Sequence, residues 1–401
     1  MIDQKLHILI LVENLPSPFD RRVWQEATTL RQNGYLVSII CPTGKGYNKL
    51  FECIDKIDIY RYRLPIEAHG IFGYFLEYTF ALWNMLIIST KVHRRHRFQI
   101  IHACNPPDLL FLVALPYCLF YGTKFVFDHH DVNPELYEAK FGKKGFFWHI
   151  LVLLERLTFR LAKIVISTNE SYRRIAIERG GVDPDRVHIV RSGPQTKRLT
   201  IKPPVESYKN GRQHLVGYVG VMGRQEGIDL LLSSVAHIVK VMGRKDIQFC
   251  LVGGGTSLNE MMDLSKQLEL TNFVTFTGRV SDSTLLDVLN TSDVCVNPDI
   301  VNRMNDISTM NKIMEYMALA KPIVQYNLTE GRFSAQNASL YALENDPIDF
   351  AVKVVSLIDD PEKRLKMGQY GYERVINELE WKFEEPKLLK AYSQVSLEIN
   401  S

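Results

Sequence analysis

Short apolar runs recur along the chain, each followed by a polar or glycine-rich turn and then by a longer segment with helical spacing. In the first half, the runs that predict β-strands are residues 6–12, 36–41, 100–103, 124–128 and 162–168. Residues 21–33 have helical spacing, and residues 146–161 form an apolar helix. Strands that are apolar at almost every position and alternate with helices are typical of a parallel sheet covered on both faces.

The second half shows the same alternation, although its sequence does not repeat that of the first. Its predicted strands are residues 215–219, 247–252, 274–277, 294–297 and 322–325. We therefore predict an α/β protein of two doubly wound domains, whose ligands lie at the carboxyl ends of the strands. Two prolines and an Asn-Gly pair break the periodicity within residues 198–213. This break places the N-terminal domain at residues 1–196 and the C-terminal domain at residues 211–373.

Composition narrows the class of protein. Hydrophobic residues make up 46% of the 401 residues, which is enough for a full globular core. A net charge of only +3 argues against a dedicated nucleic-acid binder, whose affinity rests on many phosphate contacts. The six cysteines are scattered without paired spacing, which favours small buried hydrophobes in a reducing compartment over disulfides or metal ligands. The first residues lack a signal-peptide pattern, so we expect a cytoplasmic protein.

One aromatic, apolar stretch suggests contact with a membrane surface. Residues 72–90 are too short and too polar to cross a bilayer, because Glu77 and Asn84 interrupt them. Basic residues at 91–97 follow directly, and an apolar segment beside a basic one is typical of an interfacial element. A buried helix with a solvated basic end fits the same pattern. Peripheral contact with the anionic inner face of the cell membrane is one of these two alternatives.

Two glycine clusters follow predicted strands of the second half. Gly223 and Arg224 lie in the loop at residues 220–227, between a strand and a helix, and Gly253 and Gly254 follow the next strand. Glycines allow close backbone approach, a helix N-terminus offers free N–H groups to a phosphate, and a guanidinium fits phosphate oxygens. Each cluster by itself is equally a tight turn. Together they indicate two neighbouring loops around one ligand.

The segment at residues 308–324 has the most specific pattern. Ser308 or Thr309 can cap a helix on which Asn311, Lys312 and Glu315 share one face. The first turn of such a helix can bind a diphosphate, while Glu315 accepts hydrogen bonds from a ribose diol. The alternative is an amphipathic helix with a solvated Glu315.

A fourth segment, residues 128–135, follows the strand at 124–128. It contains His129 and His130 with flanking carboxylates, among them Asp131, and this set suits either a metal site or one imidazole in a cleft. A single histidine is more often structural. Because His130 follows the end of a central strand, where ligands collect, we favour a functional role for it.

Taken together, these segments and the stretch at residues 13–26 resemble the retaining glycosyltransferases of family 4, over nearly the whole chain and in the same order. The likeness is closest to bacterial enzymes of capsule, exopolysaccharide and O-antigen assembly. It implies the GT-B fold, in which two Rossmann-like domains face each other across a cleft and residues 374–401 return as a helix to the N-terminal domain. It also implies a nucleoside-diphosphate sugar as co-substrate, a lipid-linked or polysaccharide acceptor, and no cofactor or metal.

The resemblance assigns roles to particular residues. His130 matches the catalytic histidine beside the transferring sugar, Glu315 the acid that binds the nucleotide ribose, and Arg224 the base that neutralises the diphosphate. The residues expected to bind the donor are Gly223, Arg224, Gly253, Gly254, Arg279, Asp306, Thr309, Met310, Asn311, Lys312 and Glu315. Those expected on the acceptor side, facing the phosphate of a lipid-linked acceptor, are Asp20, Arg21 and Arg22.

Two positions depart from the family pattern. Ile307 stands where the family usually has a glutamate near the sugar hydroxyls, and Glu226 stands where it commonly has a lysine. Asp306 and Lys312 are candidate replacements for the missing carboxylate and cation. The departures otherwise indicate an altered donor or a site without turnover. A sugar-nucleotide epimerase of the same fold and a non-catalytic partner subunit are therefore the alternative functions.

Overall fold

The computed structural model describes residues 5–64 and 70–400. The chain forms two compact units. The N-terminal unit comprises Met1–Ser192 and Glu384–Ser401, and the C-terminal unit comprises Gly193–Phe383. Each unit contains one doubly wound sheet, as the alternation of strands and helices predicts.

The N-terminal unit contains an eight-stranded sheet in the order β3-β4-β2-β1-β5-β6-β7-β8, parallel except where β3 pairs with β4. Its strands are β1 (His7–Val12), β2 (Leu36–Pro42), β3 (Phe51–Ile54), β4 (Ile57–Tyr62), β5 (Ile100–Cys104), β6 (Lys124–His129), β7 (Ile164–Ser167) and β8 (Val187–Ile189). The strand order reverses between β1 and β5, and such a switch point opens a crevice at the carboxyl ends of the strands. The loops after β1, β5 and β6 begin there.

Helices cover both faces of this sheet. They are α1 (Arg21–Gln32), α2 (Gly70–Arg95), α3 (Phe111–Tyr121), α4 (Asn133–Phe141), α5 (Phe146–Leu161) and α6 (Glu170–Glu178). The first begins where the Asp20 carboxylate accepts a hydrogen bond from the Val23 backbone N–H at 3.1 Å, and it buries Val23, Ala27 and Leu30 against the sheet. Asp20 is thus the cap of α1.

The C-terminal unit contains a six-stranded parallel sheet in the order β11-β10-β9-β12-β13-β14. Its strands are β9 (His214–Val219), β10 (Ile247–Val252), β11 (Val274–Gly278), β12 (Val294–Asn297), β13 (Ile323–Tyr326) and β14 (Ser339–Ala342). Its helices are α7 (Ile228–Ala236), α8 (Leu258–Gln267), α9 (Asp282–Thr291), α10 (Arg303–Ile307), α11 (Asn311–Ala318), α12 (Thr329–Ala335), α13 (Pro347–Ile358) and α14 (Pro361–Arg374). The switch point lies between β9 and β12, so the loops after these two strands flank the expected ligand crevice.

The last helix, α15 (Glu385–Asn400), packs against α1, β7 and β8 of the N-terminal unit. Its Tyr392 hydroxyl lies 2.6 Å from Nδ1 of the buried His102 on β5. The C-terminal unit runs on to Phe383, ten residues beyond the end expected at residue 373. It also begins earlier than the expected residue 211, because the boundary segment at residues 198–213 packs on α9, where Lys202 N–H donates to Asn290 Oδ1 at 2.9 Å.

Within the described part of the chain, no helix has both the length and the apolar character that a bilayer crossing requires. The predicted interfacial stretch falls on α2, which buries Ala81, Met85 and Val92 against the N-terminal unit. The side chains of residues 70–72, 74 and 75, at the start of this stretch, lie outside the described part.

Candidate functional site

The two glycine loops of the C-terminal unit bind each other. Met222 N–H donates to the Gly254 carbonyl at 3.1 Å, and Gly220 N–H donates to the Val252 carbonyl at 3.0 Å. Gly253 has a φ of 139°, and a Cβ placed on it would lie 1.8 Å from the Gly220 carbonyl oxygen. Only glycine fits this approach, so the expected proximity of the loops is present and Gly253 maintains it.

Gly253→Ala is expected to lower the free energy of unfolding by about 2 kcal/mol, because the new methyl group forces the two loops apart. Gly254→Ala is the matched control. Its Cβ would meet only the side chain of Arg279, with the nearest atom at 3.4 Å. Urea denaturation of both variants measures the difference, and equal loss in the two would show that the contact with Gly220 is unimportant.

Two arginines lie at the carboxyl edge of the sheet, Arg224 in the first glycine loop and Arg279 directly after β11. Arg224 and Arg279 are both exposed, and across residues 5–64 and 70–400 neither guanidinium forms a hydrogen bond or an ion pair. Arg279 lies against Gly254, which belongs to the loop that bonds to Met222. Both guanidinium groups are therefore available to an anionic ligand.

Glu226 accepts hydrogen bonds within the turn that precedes α7. Unlike the lysine that the family commonly has, it places no positive charge there. Its Oε2 accepts the Gly223 N–H at 2.9 Å, and its Oε1 accepts a bond from the Gln225 side chain at 3.1 Å. Burial, and secondarily the nearby Asp299, raises the pKa of this carboxyl. The departure from the family's lysine thus has a local structural role. Gly223 supplies the amide that satisfies it.

Lys312 is held by Asp299 in the loop after β12. Its Nζ lies 2.9 Å and 3.1 Å from the two carboxylate oxygens, and 5.0 Å from the centre of the Tyr218 ring. The Asp299 side chain is 2% exposed. Asp299 thus balances the charge of Lys312, and the replacement of the missing cation by Lys312 stays a prediction.

Helix α11 begins without the predicted side-chain cap. Its N-cap is Met310, and the Ser308 hydroxyl donates to the Met304 carbonyl at 2.6 Å. Thr309 is half-buried just before it, and Asn311 is exposed on the first turn. The first N–H groups of a helix have no intrahelical acceptor, so this turn can receive an anion.

The hydroxyl of the buried Tyr316 fixes α11 to the crevice. It accepts the N–H of Val219 at the end of β9 at 2.8 Å and lies 3.3 Å from the carbonyl of Val296 on β12. The first turn of α11 therefore opens at the switch point between these two strands. The sequence pattern did not indicate this role of Tyr316.

Glu315 has an ion-pair partner that the sequence did not indicate. Its Oε1 lies 2.5 Å from Nη2 of Arg198, and Nη1 of Arg198 lies 3.2 Å from Asp282. Arg198 belongs to the boundary segment at residues 198–213, 117 residues away. The Glu315 side chain is 16% exposed, so the carboxylate is oriented by Arg198 and remains partly accessible.

Asp306, the expected substitute for the family's glutamate, is engaged elsewhere. Its carboxylate accepts the Thr329 N–H at 2.8 Å and the Thr329 hydroxyl at 3.1 Å. Asp306 thereby provides an acceptor for the first backbone N–H of α12, which has no intrahelical partner. Asp306 thus has a local structural role, and its expected contact with the donor sugar stays a prediction.

In the N-terminal unit, the side chains of the adjacent His129 and His130 lie in different surroundings. His129 is fully buried, with ring centres of Phe127, Phe159 and Tyr172 between 5.0 and 5.5 Å from its own. Burial, with a contribution from Arg179, lowers the pKa of His129 to about 3, so its ring is neutral. The two imidazoles do not converge on one point, and this removes the interpretation of the pair as a metal site.

His130 contacts a buried ion pair instead. Arg22 Nε donates to His130 Nε2 at 2.8 Å, and Asp128 Oδ2 lies within hydrogen-bonding distance of the same nitrogen. Nη2 of Arg22 lies 2.8 Å from Asp128 Oδ1, and its Nη1 donates to the Val190 carbonyl at 2.8 Å. Burial opposes ionisation of Asp128, but Arg22 and His130 hold the pKa of that carboxyl well below its usual range.

The ion pair between Arg22 and Asp128 bears on the residues that were expected to face the acceptor. Arg22 is 7% exposed, and its donors are taken by protein groups. The carboxylate of Asp20 caps α1, and only Arg21 of the three is exposed. Contact of Arg22 with an acceptor phosphate is therefore corrected to a role in holding His130.

The backbone beside His130 is fixed by Asn105, which the sequence did not single out. Its Oδ1 accepts the N–H of His130 at 2.7 Å and the N–H of Asp131 at 3.1 Å. Its Nδ2 donates to the Asp131 carbonyl at 2.7 Å. Both the ring and the backbone of His130 are thus oriented by buried polar groups.

Behind Asp128 lies a buried group whose ligand atoms are within 4.8 Å of one another: Glu26, His102, Cys104 and Asp128. Arg22 lies 3.0 Å from Glu26 and 2.8 Å from Asp128. Burial raises the pKa of Glu26 well above its usual range, although Arg22 opposes this. Arg22 thus joins the two buried carboxyl groups, and through Asp128 this group supports His130.

Two family models match the chain. Residues 20–198 match the model described as Glycosyltransferase Family 4, and residues 213–360 match the model described as Glycosyl transferases group 1. The chain is 26% identical over 310 residues to alpha-maltose-1-phosphate synthase of Mycolicibacterium smegmatis, a match that covers 69% of this chain and 75% of that protein.

Solved structures share the fold. Sucrose-phosphate synthase from Thermosynechococcus elongatus aligns with a TM-score of 0.81 at 17% identity, over 98% of this chain and 100% of that one. Anabaena HepE in complex with UDP-glucose aligns with a TM-score of 0.75 at 13% identity, over 97% of this chain and 100% of that one.

Proposed function

Because the chain belongs to the family 4 glycosyltransferases, with the GT-B fold, we propose that it transfers a sugar from a nucleoside-diphosphate donor to a lipid-linked or polysaccharide acceptor. Transfer proceeds with retention and without a metal ion. The proposed class of donor rests on the groups that lie at the carboxyl edge of the sheet in the C-terminal unit. There Arg224, in the first glycine loop, and Arg279, directly after β11, form no hydrogen bond or ion pair with the residues that the structure describes. The first turn of α11, which has no side-chain cap, opens at the switch point.

Positive charge for the leaving diphosphate comes from the protein in this proposal. When the sugar departs, negative charge develops on the β-phosphate, and one well-placed donor contributes about 3–4 kcal/mol to its stabilisation. Arg224, Arg279 and the first amides of α11 supply these donors. Lys312 lies beside them in its pair with Asp299 and contributes orientation. HepE, which shares the fold, holds UDP-glucose in its structure, and this supports the same class of donor here.

The N-terminal unit contributes His130 to the reaction. Its ring and backbone carbonyl orient the transferring sugar and stabilise the positive charge that develops on it. Asp128, the carboxylate that contacts His130, is committed to Arg22. We therefore favour substitution on one face of the sugar, with no covalent intermediate on Asp128. Glu135, a base that an epimerase could use, is paired with Arg179 at 2.6 Å.

The decisive experiment is donor consumption with and without acceptor. UDP-, GDP-, ADP- and TDP-sugars are first screened by thermal shift, and the stabilising donor is then incubated with lipid-linked or polysaccharide acceptors. We expect release of nucleoside diphosphate and transfer of labelled sugar only when acceptor is present. An epimerase would change the sugar without acceptor, and a non-catalytic subunit would consume no donor in either case. Either result would overturn the proposed activity.

Glu315→Ala is expected to weaken donor binding by about 10-fold or more, because the ribose diol loses a charge-assisted acceptor that contributes about 1.5–3 kcal/mol. Titration calorimetry with the preferred nucleotide sugar measures the loss. Asp282→Ala is the matched control, since it removes the other carboxylate partner of Arg198 and leaves Glu315 in place. Unchanged affinity in Glu315→Ala would exclude Glu315 from the donor site.

A further inference from the structure

Residues 194–199, near the start of the C-terminal unit, are fixed to that unit on both sides of Arg198. The Pro194 carbonyl accepts a hydrogen bond from the Trp381 N–H at 3.2 Å. Leu199 is 4% exposed and belongs to the same hydrophobic cluster as the buried side chains of α11. The backbone of Arg198 therefore has a fixed position relative to α11.

The guanidinium of Arg198 bridges two carboxylates that differ in exposure. Its Nη2 lies 2.5 Å from Glu315 Oε1, and its Nη1 lies 3.2 Å from Asp282 Oδ2. The Glu315 side chain is 16% exposed, whereas that of Asp282 is 55% exposed. Because water and salt screen an exposed ion pair more strongly than a partly buried one, the contact with Glu315 is the stronger of the two.

Glu315 lies on the side of α11 that faces the proposed donor site. It shares a face of the helix with Lys312, one turn earlier. Lys312 Nζ lies 2.9 Å from Asp299, in the loop that follows β12 at the switch point. This face of α11 is therefore directed toward the carboxyl edge of the sheet, where the ligand of a doubly wound domain binds.

The ion pair with Arg198 orders the carboxylate of Glu315 before any ligand binds. A glutamate side chain has several rotatable bonds, and a ligand that must order them binds more weakly for that reason. An ionised carboxylate can accept several hydrogen bonds, so the contact of Oε1 with Arg198 leaves capacity for ligand hydroxyls. Glu315 is thus both oriented and able to accept.

We propose that Arg198 is a positioning residue for the nucleotide, which holds the Glu315 carboxylate in the orientation that accepts both hydroxyls of a ribose and thereby makes the site selective for ribonucleotides over 2′-deoxyribonucleotides. This role rests on the proposed function, in which Glu315 binds the donor ribose. A fixed carboxylate that meets both hydroxyls loses a partner when one of them is missing, and a site built for a hydroxyl rejects the analogue that lacks it. A carboxylate that rotates freely adapts to a single hydroxyl with little loss.

Titration calorimetry of the full chain tests the proposal with UDP, GDP or ADP, whichever binds most tightly, and with the 2′-deoxy form of the same nucleotide. We expect Arg198→Ala to weaken binding of the ribonucleotide by about fivefold, the equivalent of one ordinary hydrogen bond, and binding of the deoxyribonucleotide hardly at all. The ratio of the two affinities is the readout, because a general loss of stability would change both affinities alike. Arg198→Lys keeps the charge but lacks the planar fork, so it should retain part of the preference.

Arg244→Ala is the matched control. The Arg244 side chain is 22% exposed, close to the 27% of Arg198, and it also bridges two carboxylates of the C-terminal unit, those of Asp246 and Asp359. Its removal disrupts a comparable ion pair that does not include Glu315. Arg244→Ala should therefore leave the ratio of ribonucleotide to deoxyribonucleotide affinity unchanged.

A double-mutant cycle shows whether Arg198 acts through Glu315. In the Glu315→Ala background, Arg198→Ala should cause no further loss of ribonucleotide affinity. Additive losses would overturn the proposal, because they would mean that Arg198 contacts the nucleotide directly. Tighter binding by the single variant Arg198→Ala would also overturn it, since the guanidinium would then compete with the ribose for Glu315.

The same titrations separate this role from the proposed function. An unchanged ratio in Arg198→Ala, with normal nucleotide binding by the wild type, would overturn the role of Arg198 alone. A wild-type protein that binds none of the three nucleoside diphosphates would overturn both the role of Arg198 and the proposed function.

Discussion

Replacing His130 with alanine is expected to lower sugar transfer by about 10²-fold or more while donor affinity stays nearly unchanged, which corresponds to about 2.7 kcal/mol of transition-state stabilisation. The reason is the separation of roles. Arg224 and Glu315, which we assign to the donor, belong to the C-terminal unit, and His130 belongs to the N-terminal unit. Steady-state kinetics and nucleotide-sugar titration on the same preparation measure the two quantities.

The neighbouring histidine supplies the control for folding. His129 is completely buried among aromatic rings, so His129→Ala removes packing and should lower the melting temperature. His130 has a side chain that is 14% exposed and contacts polar groups, so its loss should affect turnover much more than stability. Full activity in a normally folded His130→Ala enzyme would remove His130 from the mechanism. A melting temperature that falls as far as that of His129→Ala would assign it a structural role.

The apolar runs predicted the central strands well because a strand buried on both faces leaves little room for polar residues. Strands at the sheet edges carry a weaker signal. In β3 the exposure alternates from residue to residue, and this strand pairs on one side only, with β4. β8 has three residues. Neither was predicted, and β4 and β14 were also missed, so the sequence predicted the core of each sheet and fewer strands than it contains.

The sequence predicted where the site residues lie better than it predicted which residues they form hydrogen bonds and ion pairs with. His130, Arg224 and the glycine loops follow directly from their places after strands, since parallel strands align their carboxyl ends at one edge. The partner of Glu315 is Arg198, 117 residues away, and no local periodicity connects them. His102 meets Tyr392 across 290 residues of sequence. Such contacts depend on how helices dock on the sheet, which hydrophobic spacing does not specify.

The expectation for Arg22 shows how a local signal was overlooked. It was placed on the acceptor side because it starts a helix after the first strand. Yet Arg22 and Glu26 are four residues apart and lie on the face of α1 that buries Val23 and Leu30. An arginine and a glutamate at that spacing on an apolar face indicate a buried ion pair as readily as a ligand site. Helical phase, read together with charge, would have favoured the inner position.

Removing the charge of Asp128 is expected to lower the free energy of unfolding by about 3 kcal/mol at neutral pH, because the buried guanidinium of Arg22 loses its counter-ion. Asp128→Asn makes this change with almost no change in volume. Glu26→Gln is the matched control in the same cluster. Burial raises the pKa of Glu26 well above its usual range, whereas that of Asp128 is lowered, so we expect the amide at position 26 to be tolerated better than the amide at position 128.

The pH dependence tests the same assignment. Because the folded-state pKa of Asp128 is depressed, its contribution is complete above the unfolded pKa of about 3.9 and is lost as the pH falls through the folded value. Urea denaturation should therefore show a difference between wild type and Asp128→Asn that is constant near neutrality and shrinks below about pH 4. A difference of the same size at all pH values would mean that packing, and not the charge of Asp128, supports Arg22. In that case Asp128→Asn should also retain normal transfer, because His130 would not depend on the ion pair for its orientation.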